Sequence, residues 1–217
     1  MDLTGVGELV RGRFDAKMAG RELALPAARR SIRASANAIR AVHRGDLEEA
    51  HRLLEQSRRA LAEGREAVAF AHPDIYHAGF HQDAQKEYAE ARLTEALVTA
   101  KPLPGPDELE VEIAPYLNGM AETIGEGRRA ILDLLRRGEF DEGERILDAM
   151  DELYALLVSV DYPDAITGNL RRSTDVARGL LERTRGDLSV ALVQRNLQGA
   201  LERLAREITQ SLDSPPA

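Results

Sequence analysis

The chain has 217 residues, of which 30% are charged, and it carries a net charge of −8 with no cysteine and no tryptophan. The missing cysteines exclude disulfides, thiolate metal sites and thiol nucleophiles, and they fit the reducing cytoplasm, which is the location we expect. No run of about 18 apolar residues exists, so no membrane-spanning segment is expected. The net negative charge argues against a protein that coats nucleic acid without specificity.

Helix formers dominate the composition, since Ala, Leu, Glu and Arg are abundant and aromatic residues make up only 4%. This composition predicts an all-α protein. Short connections make consecutive helices antiparallel, so we expect residues 1–217 to form one domain, a seven-helix antiparallel bundle. The predicted helices span residues 3–44, 46–70, 74–100, 107–137, 139–160, 164–185 and 187–212.

Three similar turns separate helices in this prediction. Each has an arginine, then a glycine, then an acidic residue, at 44–46, 137–139 and 185–187. The glycine suits the left-handed position after a helix, and the acidic residue suits the start of the next one. The pattern therefore predicts three helical hairpins.

The first predicted helix carries a basic stripe within a sector about 120° wide. Such a stripe can hold phosphate groups, as in nucleic-acid binding. A charged face that only contacts solvent is the commoner meaning, and it stays open as an alternative. The stripe consists of Arg29, Arg33, Asn37, Arg40, His43 and Arg44.

A histidine pair, His77 and His81, lies one helical turn apart at the start of the third predicted helix. That spacing suits two zinc ligands, but the glutamate that a metalloprotease has after its first histidine is missing. A contact with nucleic acid is the other functional interpretation of this pair.

Two glutamate pairs give the sharpest chemical signal, because each pair lies on one face of a predicted helix. They are Glu87 with Glu90, and Glu122 with Glu126. If the two helices lie side by side, four carboxylates converge, and hard divalent cations bind in such oxygen-rich clusters. A solvated acidic face is the alternative.

Two glycines flank the second glutamate pair, although each glycine disfavours the helix by about 1 kcal/mol relative to alanine. A helix carries such residues most naturally where another backbone comes close. Gly119 and Gly125 lie away from the predicted apolar stripe of their helix. We therefore expect another helix, from this chain or a second copy, to dock there.

Four stretches taken together resemble the translin superfamily, in order and across residues 20–205. The similarity is greater to the branch of translin-associated factor X and its prokaryotic homologues. The most specific motifs are Glu-Tyr-x-Glu-Ala and Tyr-Leu-x-Gly followed by Gly-Glu. The stretches are 37–46, 85–91, 116–126 and 162–164, the last followed by 170–176.

This resemblance implies a seven-helix fold that assembles into a hollow homo-oligomer, in this family often an octamer. It also implies binding of single-stranded RNA or DNA and an endoribonuclease activity that depends on Mg²⁺ or Mn²⁺. The catalytic and metal-binding carboxylates of the family fall on Glu87, Glu90, Glu122 and Glu126. The third is usually aspartate, so Glu122 is one methylene longer than the family pattern.

The resemblance also directs attention to groups that would hold the phosphate backbone: Arg29, Arg33, Arg40 and Arg44, together with His77 and His81. Two alternatives stay open. One is a nucleic-acid-binding oligomer in which the glutamates only form salt bridges between helices, and the other is a structural bundle that binds neither metal nor nucleic acid.

Overall fold

A computed structural model describes residues 3–213, and this part of the chain contains α-helices and connecting turns but no β-strand. The all-α prediction is therefore confirmed. The described range contains six long helices and three single turns of helix, which precede the third, fourth and sixth long helices. The long helices are α1 (Thr4–His43), α2 (Leu47–Val68), α4 (Gly79–Val98), α6 (Ile113–Arg137), α7 (Phe140–Ser159) and α9 (Leu170–Asp213), and the single turns are α3 (Pro73–Tyr76), α5 (Pro106–Leu109) and α8 (Asp164–Thr167).

Two of the three predicted hairpin turns are confirmed. Gly45 and Gly138 follow α1 and α6 with φ angles of +74° and +78°, which glycine adopts without strain. After each glycine, the next backbone N–H donates to a carbonyl five residues earlier, as in the Schellman motif. Asp46 then caps α2, since its carboxylate accepts a hydrogen bond of 3.2 Å from the backbone N–H of Glu49.

The third predicted turn is wrong, because α9 runs without a break through residues 185–187. Gly186 costs the helix only about 1 kcal/mol, and packing on both sides of it outweighs that cost. Leu181 and Leu188 are both buried, and Arg185 donates two hydrogen bonds of 2.6 and 2.8 Å to Asp151 on α7. The two predicted helices at 164–185 and 187–212 are thus the short α8 and the long α9.

Two further predicted helices are interrupted near their beginnings. The segment 74–100 divides into α3 and α4, and the segment 107–137 divides into α5 and α6. Pro73 and Pro106 begin the single turns, a position where a missing N–H is harmless. Tyr76 and Glu87, which both fall within the predicted helix 74–100, therefore lie on different helices, α3 and α4.

Helices α4 and α6 form the centre of the packing. Helix α1 pairs with α2 and also packs on α4, whereas α6 packs on α4 and on the pair α7 and α9. Both central helices bury residues on most of their circumference. Polar side chains on them therefore lie at contacts between helices.

Two helical segments extend away from this packing with apolar side chains exposed. One is the first part of α1 and the other is the last part of α9. Within residues 3–213, no helix has the length and apolar content needed to cross a membrane. The exposed apolar residues are Val6, Leu9, Val10, Phe14 and Met18 on α1, with Leu3 just before it, and Val190, Val193, Leu197, Leu201, Leu204 and Ile208 on α9.

Candidate metal centre

A close crossing of α4 and α6 positions the glutamate pairs. A Cβ atom added to Gly119 would lie 2.7 Å from the carbonyl oxygen of Lys86 and 3.0 Å from the backbone nitrogen of Glu90. Only glycine permits this approach, so the predicted backbone contact is confirmed at Gly119, and the neighbour is α4 of the same chain. No backbone of this chain comes close at Gly125 among the described residues, since an added Cβ would meet a Leu180 methyl carbon at an ordinary 3.6 Å. Docking of a second copy there stays a prediction.

The crossing brings three of the four predicted glutamates together. One carboxylate oxygen from each of Glu87, Glu90 and Glu122 lies within 4.8 Å of the others. Glu90 is buried, with 8% of its surface exposed. The side chains of Glu87 and Glu122 are 27% and 41% exposed, so the cluster is closed at Glu90 and open to solvent at Glu122.

Glu126 lies one helical turn beyond Glu122 and has a different partner. Its Oε2 atom accepts a hydrogen bond of 2.5 Å from Nε2 of His43 on α1. This hydrogen bond lowers the pKa of Glu126, although burial acts in the opposite direction. Glu126 therefore stays ionised and adds negative charge beside the three converging carboxylates.

The electrostatics of Glu90 distinguish it from an ordinary surface carboxylate. Burial raises its pKa to about 8, and the negative charges of Glu122, Glu87 and Glu126 act in the same direction. Burial and like charges both disfavour the ionised form. The position of Glu90 therefore favours the arrival of a further positive charge.

Sequence reasoning missed the role of Lys86, which precedes Glu87 on α4. Its Nζ atom donates to both carboxylate oxygens of Glu122 at 2.7 Å and lies 3.2 Å from Oε1 of Glu87. Burial acts to lower the pKa of Lys86, but Glu122 and Glu87 outweigh it and the pKa is raised. A lysine between two glutamates of different helices has no distinctive spacing, so only the fold could identify it.

The role of His43 was also missed, because helical spacing placed it at the edge of the basic stripe. Its side chain is only 4% exposed and turns inward to Glu126. The pair joins α1 to α6 beside the carboxylates. The available signal in the sequence was that His43 directly follows two apolar residues, Ala41 and Val42.

The donor set fits a hard divalent cation. All three converging groups are carboxylates, and oxygen ligands are those that Mg²⁺ and Mn²⁺ prefer. Glu90 is buried without a hydrogen-bonding cation among the described residues, and a metal ion would remove the like-charge repulsion that raises its pKa. In residues 3–213, these glutamates form the one group of three or more His, Cys, Asp or Glu side chains that converge in this way.

The arginines of the basic stripe remain exposed on α1. Arg40 donates a hydrogen bond of 2.7 Å to the side chain of Asn37. Within the described residues, Arg29, Arg33 and Arg44 form no salt bridge, so their charges are available to an anion. Arg44 also lines a groove of about 660 Å³ together with His43, whose ring contacts Glu126.

The two histidines of the pair lie in different environments. His77 is 60% exposed and 3.5 Å from Glu112. His81 is buried, with 1% exposed, and packs against Tyr76 at 4.7 Å between ring centroids. The burial of His81 argues against its assignment as a nucleic-acid contact, and the assignment of His77 stays a prediction. No third ligand joins the pair within the described range, which removes the support for a zinc site.

The chain is similar to several known proteins, although no protein-family model matches it. An uncharacterized protein of Methanocaldococcus jannaschii is 32% identical over 133 residues, which are 61% of this chain and 60% of that protein. The chain thus aligns with about three fifths of the curated relative.

Solved structures extend the similarity over most of the chain. AfC3PO in complex with duplex RNA has a TM-score of 0.79 at 32% identity, and AfC3PO in another crystal structure has 0.78 at 33%. Each comparison covers 87% of this chain and 97% of the other. Apo-NeC3PO has a TM-score of 0.76 at 19% identity, over 88% of this chain and 99% of that one, which supports the fold alone.

Proposed function

The chain belongs to the translin superfamily, and we propose that it is a metal-dependent endoribonuclease that binds single-stranded RNA or DNA as a homo-oligomer. The observation that carries this proposal is the convergence of Glu87, Glu90 and Glu122 at the crossing of α4 and α6. The exposed arginines on α1 supply the complementary charge for a phosphate backbone.

Nucleic-acid binding is supported by the relative AfC3PO, which has been crystallised with duplex RNA. On this chain, Arg33 and Arg40 lie two helical turns apart on one exposed face, so they can contact successive phosphates of one strand. Arg44 continues the stripe toward the groove that also contains His43. A strand that follows the stripe would reach the groove beside His43, the hydrogen-bond partner of Glu126.

The ligands proposed for Mg²⁺ or Mn²⁺ are Glu87, Glu90 and Glu122, with Glu126 completing the negative field. When bound, the cation supplies charge stabilisation at the scissile phosphate and activates water for attack. Glu90 is the least mobile ligand because it is buried, whereas Glu122 is exposed and one methylene longer than the usual aspartate. His43 holds the carboxylate of Glu126 in place through a hydrogen bond, so the negative charge of Glu126 keeps a fixed position beside the metal ligands.

Assembly into a homo-oligomer, with an octamer as the proposed state, is supported by the apolar segments of α1 and α9. Their exposed residues recur at helical spacing and have no partner helix within residues 3–213 that covers them. A second copy of the chain would bury both. Light scattering at micromolar concentration should give a mass above that of a dimer, and a monomeric mass would exclude the assembly.

A binding protein without catalysis is the second candidate, and Lys86 is the observation that favours it. This lysine already joins Glu122 to Glu87, as a salt bridge between helices would. In that case the glutamates stabilise the crossing of α4 and α6, and the function is nucleic-acid binding by the arginines alone.

One experiment separates the two candidates. Purified protein is incubated with end-labelled single-stranded RNA, with duplex RNA and with single-stranded DNA, each in Mg²⁺, Mn²⁺ or EDTA. The nuclease proposal expects internal cleavage of the single-stranded RNA only when metal is present. If the RNA binds but stays uncleaved in every condition, the protein binds nucleic acid without catalysis and the second candidate is supported.

A further inference from the structure

The acidic cluster already contains a positive charge from its own chain. The ammonium group of Lys86 donates to both oxygens of Glu122 at 2.7 Å and lies 3.2 Å from Glu87. Its side chain is only 23% exposed. Lys86 is thus a half-buried counter-ion for two of the three carboxylates that converge.

A divalent cation needs the same oxygen atoms. Both oxygens of Glu122 are engaged by Lys86, and both cations cannot occupy one position because like charges repel strongly at such distances. We propose that Lys86 is an internal competitor of the divalent cation, which must displace its ammonium group from Glu122 before the site is complete. Lys86 therefore sets the metal concentration at which the site fills.

The structure also indicates which side chain moves. Glu90 is buried, and the backbone of α4 beside it lies against Gly119, so the α4 side of the cluster is held firmly. Glu122 is 41% exposed and has the freedom to exchange one cation for another. The lysine stem is flexible, so the released ammonium can move while staying beside the cluster.

This inference rests on the metal site within the proposed function, and it does not depend on the nuclease activity. Its test measures the binding of Mn²⁺ alone by isothermal titration calorimetry and by electron paramagnetic resonance, with the full chain and no RNA. Lys86→Met removes the charge and keeps the length of the side chain, and Lys86→Arg keeps the charge. Lys101→Met is the matched control, because Lys101 contacts Glu95 at 3.0 Å, outside the cluster.

Lys86→Met should bind Mn²⁺ about tenfold more tightly than the wild type, which is the expected size for a partly buried charge-assisted pair. Lys86→Arg and Lys101→Met should bind like the wild type. Unchanged or weaker binding by Lys86→Met would overturn the inference while the metal site stands. An equal gain in Lys101→Met would also overturn it, since the effect would then come from net charge.

Two further outcomes are distinguishable from these. If neither the wild type nor Lys86→Met binds Mn²⁺, the metal site itself is wrong and this inference falls with it. If metal-free Lys86→Met is too unstable to titrate, thermal unfolding with saturating Mn²⁺ replaces the titration. The rise in Tm should then be larger for Lys86→Met than for the wild type, and an equal or smaller rise would refute the competition.

Discussion

Glu90 and Glu95 are two buried glutamates of the same helix with opposite surroundings. They are five residues apart on α4, so they point about 140° away from each other. Glu95 accepts hydrogen bonds from His51 at 2.8 Å and from Lys101 at 3.0 Å. Burial raises the pKa of Glu90 to about 8, and the neighbouring carboxylates act in the same direction against the weaker opposing charge of Lys86.

The difference shows that burial alone does not identify a functional carboxylate. Burial acts to raise the pKa of Glu95 too, but Lys101 and His51 outweigh it, and the pKa lies below the ordinary value. Glu95 is a satisfied ion pair that holds α4 to α2 and to the following loop. Glu90 lacks such a partner, and groups of that kind cluster at functional sites.

The largest expected effect concerns the rate of RNA cleavage. Glu90→Gln should reduce Mg²⁺-dependent cleavage by on the order of 10²–10³, because the cation supplies several kcal/mol of charge stabilisation. Glu87→Gln and Glu126→Gln should act in the same direction. Glu95→Gln is the control and should cleave at nearly the wild-type rate, as measured in single turnovers on labelled single-stranded RNA.

Two results would change this assignment. Full activity of all three glutamine variants would contradict the nuclease proposal, and a comparable loss in Glu95→Gln would point to a common effect on folding. Glu122→Asp restores the usual family residue and should preserve or improve the rate.

The second effect tests why Glu90 is buried. Gly119→Ala places a methyl group 2.7 Å from the Lys86 carbonyl, so α4 and α6 must move apart, at a cost of about 1–3 kcal/mol of unfolding free energy. Gly125→Ala faces open packing and should be neutral, or stabilise by up to about 1 kcal/mol. Urea denaturation monitored by circular dichroism measures both variants, and equal stability of the two would contradict the close crossing.

The third effect is the pH dependence of stability in EDTA. The raised pKa of Glu90 means that the folded state holds a proton that the unfolded state releases near pH 4.5. The stabilising contribution of this proton is full below pH 4.5 and is lost as pH rises through about 8. Between these two values the free energy of unfolding falls as pH rises, because folded Glu90 retains a proton that the unfolded chain has lost. Glu95 contributes in the opposite sense, because its pKa is lowered in the folded state. Its stabilising contribution is present when the pH is above the pKa of the unfolded chain, and it is lost as the pH falls through the pKa of the folded state.

Glutamine variants separate these two contributions. At pH 8, Glu90→Gln should unfold at higher urea than the wild type. Glu95→Gln should be less stable by about 1–2 kcal/mol because Lys101 loses a charged hydrogen-bond partner. At pH 5, the advantage of Glu90→Gln should largely disappear. A destabilised Glu90→Gln at pH 8 would contradict the like-charge environment.

Sequence reasoning predicted those parts of the molecule that depend on local chemistry. The helical periodicity and the turns at Gly45 and Gly138 are local signals, and both appear in the structure. It failed at Gly186, where the tertiary packing of Leu188 outweighs the turn signal. It also could not identify Lys86 or the inward position of His43, because those contacts exist only after α1, α4 and α6 have packed together.

The smallest expected effect concerns arginines, for which the same contrast between free and satisfied charges holds. Arg33 and Arg40 have no carboxylate partner within residues 3–213, whereas Arg58 and Arg59 both pair with Glu55 at 2.8 and 2.7 Å.

Replacing Arg33 and Arg40 with Ala should weaken the binding of single-stranded RNA of any sequence, because each phosphate contact releases counterions. The slope of log K against log salt should become shallower by about 1.4, the value for two lost contacts on a single strand. Fluorescence anisotropy across a salt series measures this slope, and the matched variant with Arg58 and Arg59 replaced by Ala should keep it. If the two variants behave alike, the phosphate contacts lie elsewhere, and the stripe on α1 is a solvated face.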